Sequence, residues 1–458
     1  MAGKATSFRC SECGHAALTW TGQCAGCGAW NTLEQAGAPA SRSGRRRGAR
    51  SQNAPRPVPL RDVKAERTAR LGTGIAELDR VLGGGLVPGS LVLLGGAPGI
   101  GKSTLAGMAL ANIAGAGNDV LYVSGEESAA QVRRRAERLG EDALSVPMLA
   151  EPSLESVLAA LEAERPAACV IDSVQALAVP DAAPGSVGAI REATSALLES
   201  AKRLDVTLIL IGHVTKEGSL AGPRALEHLV DCVLHFEGER ERTFRTLRAL
   251  KNRFGATSEV GVFEMRQGGL VEVADPSARF VGEARPAPGS VVLCAMEGTR
   301  PLLVEVQALV APTEIVPPRR TATGVDRNRL ALVLAVLTRH AGISIGAADV
   351  FVNVAGGVRI DEPGADLAIA LAVASAHSGE ALETDGKPLA CFGEIGLTGE
   401  IRYVAHADRR VAEARKFGLG KVVGPPPADE PIKGLSAVSS VRAALSSRQS
   451  ASQLRRAA

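Results

Sequence analysis

Short apolar runs recur through the middle of the chain: LVLLG (residues 91–95), VLYVS (120–124), ACVID (168–172), VTLILIG (206–212) and CVLHF (232–236). Between several of them the spacing of apolar positions lengthens to that of a helix. Over residues 192–204, Ala196, Leu197, Ser200 and Leu204 form a stripe opposite Arg191, Glu199 and Lys202. Strands alternating with such helices predict an α/β domain built on a parallel sheet, which binds its ligand beyond the carboxyl ends of the strands. From about residue 288 strand patterning resumes in SVVLCAMEG (290–298) and LLVEVQALV (302–310).

The first of these strands runs into GAPGIGKST, so Gly96, Ala97, Pro98, Gly99, Ile100, Gly101, Lys102, Ser103 and Thr104 match the phosphate-loop pattern G-x-x-x-x-G-K-[ST] between a strand and a helix. Its glycines let the backbone amides wrap a β-phosphate, Lys102 reaches the β- and γ-oxygens, and Ser103 holds magnesium. The pattern predicts ATP and Mg2+ binding. Hydrolysis needs a carboxylate on the metal side and another for the attacking water. Asp172, ending ACVID, suits the first task; Glu126 and Glu127, following VLYVS, compete for the second, although Glu127 also opens a helical segment and suits a helix cap. His213, ending VTLILIGH, is either a γ-phosphate sensor or a hydrogen-bonded structural residue.

Ahead of this region the chain carries CSECGHAALTWTGQCAGCGAWNTLE, in which Cys10, Cys13, Cys24 and Cys27 form C-x2-C-x10-C-x2-C. Four thiolates at this spacing close a tetrahedral structural zinc site, and metal binding supplies most of the folding free energy of so small a module. Two disulfides or a redox pair are the alternatives, but disulfides require an oxidising compartment. The opening MAGKATSFRC contains no apolar signal segment and no run approaches a membrane span, so a cytoplasmic protein is expected. A composition of 45% hydrophobic and 22% charged residues with net charge +3 agrees. The near-neutral total hides an asymmetry. Residues 35–70 hold ten Lys or Arg against Asp62 and Glu66, in a stretch poor in large apolar residues that reads as a flexible tether and a possible phosphate-binding arm.

The stretches LGTGIAELDRVLGGGLVPGSLVLLGGAPGIGKSTL, YVSGEES, VIDSVQ and KNRFG together resemble the bacterial RadA (Sms) family of DNA-repair ATPases, over nearly the whole chain. The resemblance implies a zinc finger at 1–34, a basic linker at 35–66, a RecA-like ATPase domain at 67–280 and a non-proteolytic α+β Lon-protease-like domain at 288–458. It implies a DNA-dependent ATPase of homologous recombination, a DnaB-like hexameric ring that drives branch migration on single-stranded and branched DNA, with RecA as partner and no membrane. On this basis Glu126 matches the RecA-type catalytic glutamate, Asp172 the metal-side aspartate and His213 the sensor. Lys251 and Arg253 of KNRFG match cations that reach a neighbouring subunit's nucleotide. Lys216 and Arg224 of TKEGSLAGPR fall in a DNA-binding loop. The segments around PGADLA (363–368) and Arg410 resemble the Lon proteolytic domain, with its serine position at or beside Asp366 and its lysine position on Arg410. Arginine stays protonated and cannot serve as a general base. A KaiC-like signalling ATPase, an ATP-dependent protease and a DNA-binding scaffold are the competing classes.

Overall fold

The computed structural model describes residues 7–10, 15–17, 19–26, 28–30, 32–36, 59, 62, 69–180, 182–183, 185–212, 225–238, 244–428 and 430–446. Cys13, Cys27, His213, Lys216, Arg224 and most of the basic linker lie outside them. The chain divides into two compact units, Met1–Glu66 and Arg67–Ala458.

In the first unit β1 (Ser7–Cys10) pairs antiparallel with both β2 (Ala16–Ala17) and β3 (Leu33–Ala36). The third strand continues past residue 34, where the zinc module was expected to end.

The second unit opens with α1 (Ala76–Leu82), β4 (Leu91–Gly96), α2 (Lys102–Gly115), β5 (Val120–Ser124), α3 (Ala129–Leu139) and α4 (Glu141–Leu144). Then follow β6 (Met148–Ala150), α5 (Leu154–Glu164), β7 (Ala168–Asp172), α6 (Val187–Leu204), β8 (Thr207–Ile211), α7 (Ala225–Leu229) and β9 (Cys232–Glu237). The hairpin strands β10 (Phe244–Asn252), β11 (Val260–Arg266) and β12 (Gly269–Glu272) complete a nine-stranded sheet of order β12-β11-β10-β9-β4-β8-β7-β5-β6. Strands β9 through β6 in that order are parallel, while β10, β11 and β12 are added antiparallel at one edge. The expectation of a parallel sheet thus holds for its core and fails at that edge.

Burial explains the continuous apolar runs. On β4, Val92 and Leu94 join Leu105, Ala109 and Ile113 of α2 on one face, while Leu91 and Leu93 join Ala193, Leu197 and Ala201 of α6 on the other. A strand covered on both faces has no solvent side to make polar. Helix α6 starts five residues before the expected span, at an N-cap where Ser186 Oγ accepts from Ala189 N (3.2 Å). Its buried face is centred on Ala193, Leu197, Ser200 and Ala201; Ala196 and Leu204 are rim positions, a rotation of the expected stripe. Among the described residues no helix is long and apolar enough to cross a membrane.

A second body follows: α8 (Pro276–Val281), β13 (Ser290–Glu297), β14 (Arg300–Pro312), β15 (Arg320–Thr323), α9 (Arg327–Val336), β16 (Ala348–Val354), α10 (Asp366–Ser378) and α11 (Ala407–Lys416). Its seven-stranded mixed sheet has the order β15-β16-β14-β13, then Ala390–Cys391, Val422–Gly424 and Leu435–Ala437. Helix α10, apolar around its whole circumference from Leu367 to Ala374, lies inside the core. Phe280 of α8 belongs to this core, and its ring also meets Phe244 of β10 edge-on (centroids 4.8 Å apart), so α8 touches both bodies.

The β13–β14 turn ties the two bodies together. Arg300 Nη1 lies 2.5 Å from Glu77 Oε2 and its Nη2 donates to Ala274 O (2.9 Å). Glu77, on α1, is only 2% exposed and also accepts from Val262 N (2.9 Å). Removing the guanidinium leaves the buried carboxylate only the longer contact to the half-exposed Arg80 (3.5 Å). Arg300→Ala should cost about 3–5 kcal/mol, read as a lower urea midpoint, and adding Glu77→Gln should recover part of the loss.

Candidate nucleotide site

The phosphate loop leaves β4 at Gly96 and enters α2 at Lys102, with Ala97, Pro98 and Gly99 exposed at its crest and Ile100 buried beneath. Two glycines suit the loop, Gly96 by space and Gly101 by its left-handed backbone. A Cβ on Gly96 would sit 2.6 Å from the carbonyl oxygen of Phe236, and one on Gly101, at φ +116°, would meet Met265 Cε at 2.9 Å. The first turn of α2 carries no acidic residue, so its free amides and dipole favour an anion. Lys102 is 4% exposed and donates through Nζ to Gly96 O (2.8 Å) and Ala97 O (3.1 Å). Burial lowers its pKa, while the charges of Asp172 and Glu126 pull it back up.

Those two carboxylates therefore face Lys102. Asp172 ends β7 directly beside Ser124 of β5, and Gly125 N donates to Asp172 O (2.9 Å), which pins the turn carrying Glu126. Ser173 Oγ donates to Glu126 Oε1. Glu127 goes elsewhere: its carboxylate pairs with Arg135 (2.6 Å) and its backbone N–H donates to Ser124 Oγ (3.0 Å). The cap of α3 is Ser128, so Glu127 is not the helix cap its sequence position suggested. The hydroxyl of Ser103 and the carboxylate of Asp172 form a hard oxygen donor set, which fits magnesium held mainly by substrate phosphates. When bound, the metal neutralises charge developing on the transferred phosphoryl.

Three residues at this site were not singled out from the sequence. Ser173 holds Glu126 as described. Tyr122 Oη donates to Asp172 Oδ2 (2.6 Å), and Arg135 Nη2 donates to Tyr122 Oη (2.7 Å). Burial, then the Asp172 charge, raises the Tyr122 pKa well above its ordinary value, so the phenol keeps its proton. A tyrosine in an otherwise aliphatic strand was the available signal; Arg135 was hidden inside the run Arg133–Arg134–Arg135.

Lys251 and Arg253 are not at this loop. Strand register aligns Gly96 with Phe236 at one end of β9, and Val92 with Cys232 and Asn252 at the other. Four residues of strand separate the two levels, about 13 Å. Here Lys251 Nζ donates to Glu227 O (2.6 Å) and Val230 O (2.7 Å), capping the end of α7. Arg253 Nη1 pairs with Asp231 Oδ1 (2.9 Å), whose other oxygen accepts from Leu91 N (3.1 Å). Burial, then Arg253, lowers the Lys251 pKa. Half of the Arg253 side chain stays exposed.

In the C-terminal body Asp366 and Arg410 occupy separate ion pairs. Asp366 accepts from Arg329 Nε (2.5 Å) and Nη2 (2.8 Å) and from Ile395 N (3.1 Å); Arg410 donates to both oxygens of Glu362 (2.8 and 2.6 Å) and to Cys294 O (2.7 Å). Burial raises the Asp366 pKa against the pull of Arg329. The residue of PGADLA that approaches Arg410 is Gly364, where a Cβ would lie 3.2 Å from Arg410 Nη1. Beside Asp366, neither Gly364 nor Ala365 carries a nucleophile.

In the N-terminal unit Cys10 and Cys24 share a small buried cluster with Leu33. They sit in matching turns: Cys10 N donates to His15 O and Cys24 N to Ala29 O, both at 2.9 Å, and Gly26 N donates to Cys24 Sγ (3.3 Å). Gly28 takes φ +73°. Amides aimed at sulfur stabilise thiolate, which fits a zinc ligand.

A parallel sheet with a phosphate loop at the carboxyl end of its central strand, and acidic residues at the ends of neighbouring strands, defines a RecA-like P-loop ATPase fold. The AAA domain family matches residues 54–219 and the rubredoxin metal binding domain family residues 8–35. The chain is 47% identical to the DNA repair protein RadA of Bacillus subtilis (strain 168) over 435 residues, 93% of each chain. It is also 47% identical to RadA of Brucella abortus (strain 2308) over 436 residues, 92% of this chain and 91% of that one. Among solved structures, the RadB recombinase overlays with TM-score 0.37 at 24% identity, covering 44% of this chain and 99% of that one. The chain belongs to the RadA family.

Proposed function

We propose that this chain is a DNA-dependent ATPase of homologous recombination and repair, working as a DnaB-like hexameric ring that promotes branch migration on single-stranded and branched DNA with RecA as partner. The observation that carries the reading is the division of labour along β4. Lys102, Asp172 and Glu126 gather at one end, while Lys251 and Arg253 sit toward the other, where carbonyls at the end of α7 hold Lys251 and Asp231 pairs with Arg253. In this reading Lys102 and Ser103 bind phosphate and metal, Asp172 completes the metal side and Glu126 activates water. Lys251 and Arg253 serve the nucleotide of the next subunit, so hydrolysis depends on ring closure. His213 senses the γ-phosphate, and Lys216 and Arg224 contact DNA phosphates. ATP hydrolysis measured with and without single-stranded DNA tests the proposal. Strong stimulation is expected, and a rate indifferent to DNA would remove the motor from the account.

The C-terminal body serves as an assembly and DNA-contact platform. The ion pairs of Asp366 and Arg410 support this, since each side chain is engaged by an opposite charge and neither can deliver or activate a nucleophile. Casein offered with ATP should remain intact; ATP-dependent degradation that Arg410→Ala abolishes would overturn the assignment.

Cys10, Cys13, Cys24 and Cys27 hold one structural zinc ion in this reading. Elemental analysis of the reduced protein should give one zinc per chain. Cys24→Ala should lower that stoichiometry while ATP binding by the second unit persists; a full zinc complement in Cys24→Ala would exclude it as a ligand.

A further inference from the structure

We propose that Tyr122 and Arg135 are positioning residues for the metal-side carboxylate of Asp172, an assignment that rests on the ATPase reading of the same site. The three side chains form a directed series. Arg135 Nη2 donates to Tyr122 Oη at 2.7 Å, and Tyr122 Oη donates to Asp172 Oδ2 at 2.6 Å. The phenol has one proton, and this geometry commits it to Asp172. Arg135 also stands 3.6 Å from Asp172 Oδ2 and 2.6 Å from Glu127 Oε2, with its guanidinium 5.7 Å from the centre of the Tyr122 ring. One cation on α3 thereby fixes the phenol, lies close to Asp172 and pairs with Glu127.

Packing alone does not account for the hydroxyl. Tyr122 is 4% exposed, and its ring lies in the apolar cluster with Val120, Val170 and Leu110, where phenylalanine would fill the same volume. What phenylalanine lacks is the donor that pins Asp172 Oδ2 and so sets the rotation of the carboxylate. Groups that orient a metal-binding carboxylate govern metal affinity, typically by about 10–100-fold. Neither residue touches nucleotide phosphate in this assignment; both act through Asp172.

The test uses the full chain and Mn2+ as probe, titrated by electron paramagnetic resonance in the presence of a non-hydrolysable ATP analogue. Tyr122→Phe should raise the Mn2+ dissociation constant roughly tenfold, with the fold retained. Arg135→Ala should raise it at least as far, and Arg135→Lys should recover part of the loss. In turnover, the Mg2+ concentration for half-maximal rate should rise in both variants, while KM for ATP at saturating Mg2+ stays near wild type. Wild-type Mn2+ affinity in Tyr122→Phe, whatever its rate, would overturn the assignment. If Arg135→Ala does not fold, Tyr122→Phe carries the decision. A wild-type protein that hydrolyses no ATP would refute the ATPase reading instead, and the Mn2+ titration would still decide the positioning roles.

Discussion

Glu126→Gln should bind ATP as the parent does and hydrolyse it slower by a factor on the order of 10²–10⁴, the usual contribution of a general base. The substitution keeps size and hydrogen-bonding capacity, so the contact from Ser173 Oγ survives while the charge facing Lys102 is lost. Lys102→Ala should behave differently. Its ammonium is buried against the carbonyls of Gly96 and Ala97, at the place where nucleotide phosphates would draw it, so both binding and turnover should fall, turnover by about 10²–10³-fold or more. Equilibrium binding of a fluorescent ATP analogue alongside single-turnover hydrolysis separates the two. Glu127→Gln is the internal control. Because Glu127 is neutralised by Arg135, its loss should disturb the rate far less; a collapse equal to that of Glu126→Gln would reassign the water-activating role.

Much of this site could be read from the chain. The strands carrying Gly96, Ser124 and Asp172 announced themselves because a strand buried on both faces is written almost wholly in aliphatic residues, and the phosphate loop is a contiguous motif. What stayed illegible depends on residues distant in sequence. Tyr122 meets Arg135 because α3 folds back over β5, and nothing in the run of three arginines marks which one turns inward. Of the antiparallel edge only β10 is legible, in the apolar alternation of TFRTLRALK (243–251); the pairing of β11 and β12 onto it depends on contacts the chain does not display. The rotation of α6 followed from using Ala196 as core, although alanine fits equally at a rim. In the C-terminal body only the folded backbone shows that Gly364 lies against Arg410 while Asp366 pairs with Arg329.

The other large effect should come from KNRFG. Lys251→Ala and Arg253→Ala are expected to leave ATP binding near normal, because register sets Lys251 level with Leu93, about 10 Å along the sheet from Gly96, with Arg253 beyond it. If the proposed ring forms, each removes a cation from the neighbour's nucleotide, and a cation delivered in this way is worth about 10³–10⁵ in turnover. DNA should still bind, and branch migration should stop. A purely structural role makes a different forecast. Lys251 caps α7 and Arg253 pairs with Asp231, so if that is their whole contribution, thermal stability falls and the residual rate per folded subunit is unchanged.

Mixing decides between these most directly. Subunits of Arg253→Ala have an intact Glu126 but cannot serve a neighbour; subunits of Glu126→Gln have an intact Arg253 but cannot use their own site. If hydrolysis is completed between subunits, combining the two inactive proteins builds some interfaces with both good halves, and ATPase activity should rise well above that of either parent, with a maximum at intermediate ratios. A mixture whose rate follows the weighted mean of the parents at every ratio would contradict the inter-subunit mechanism.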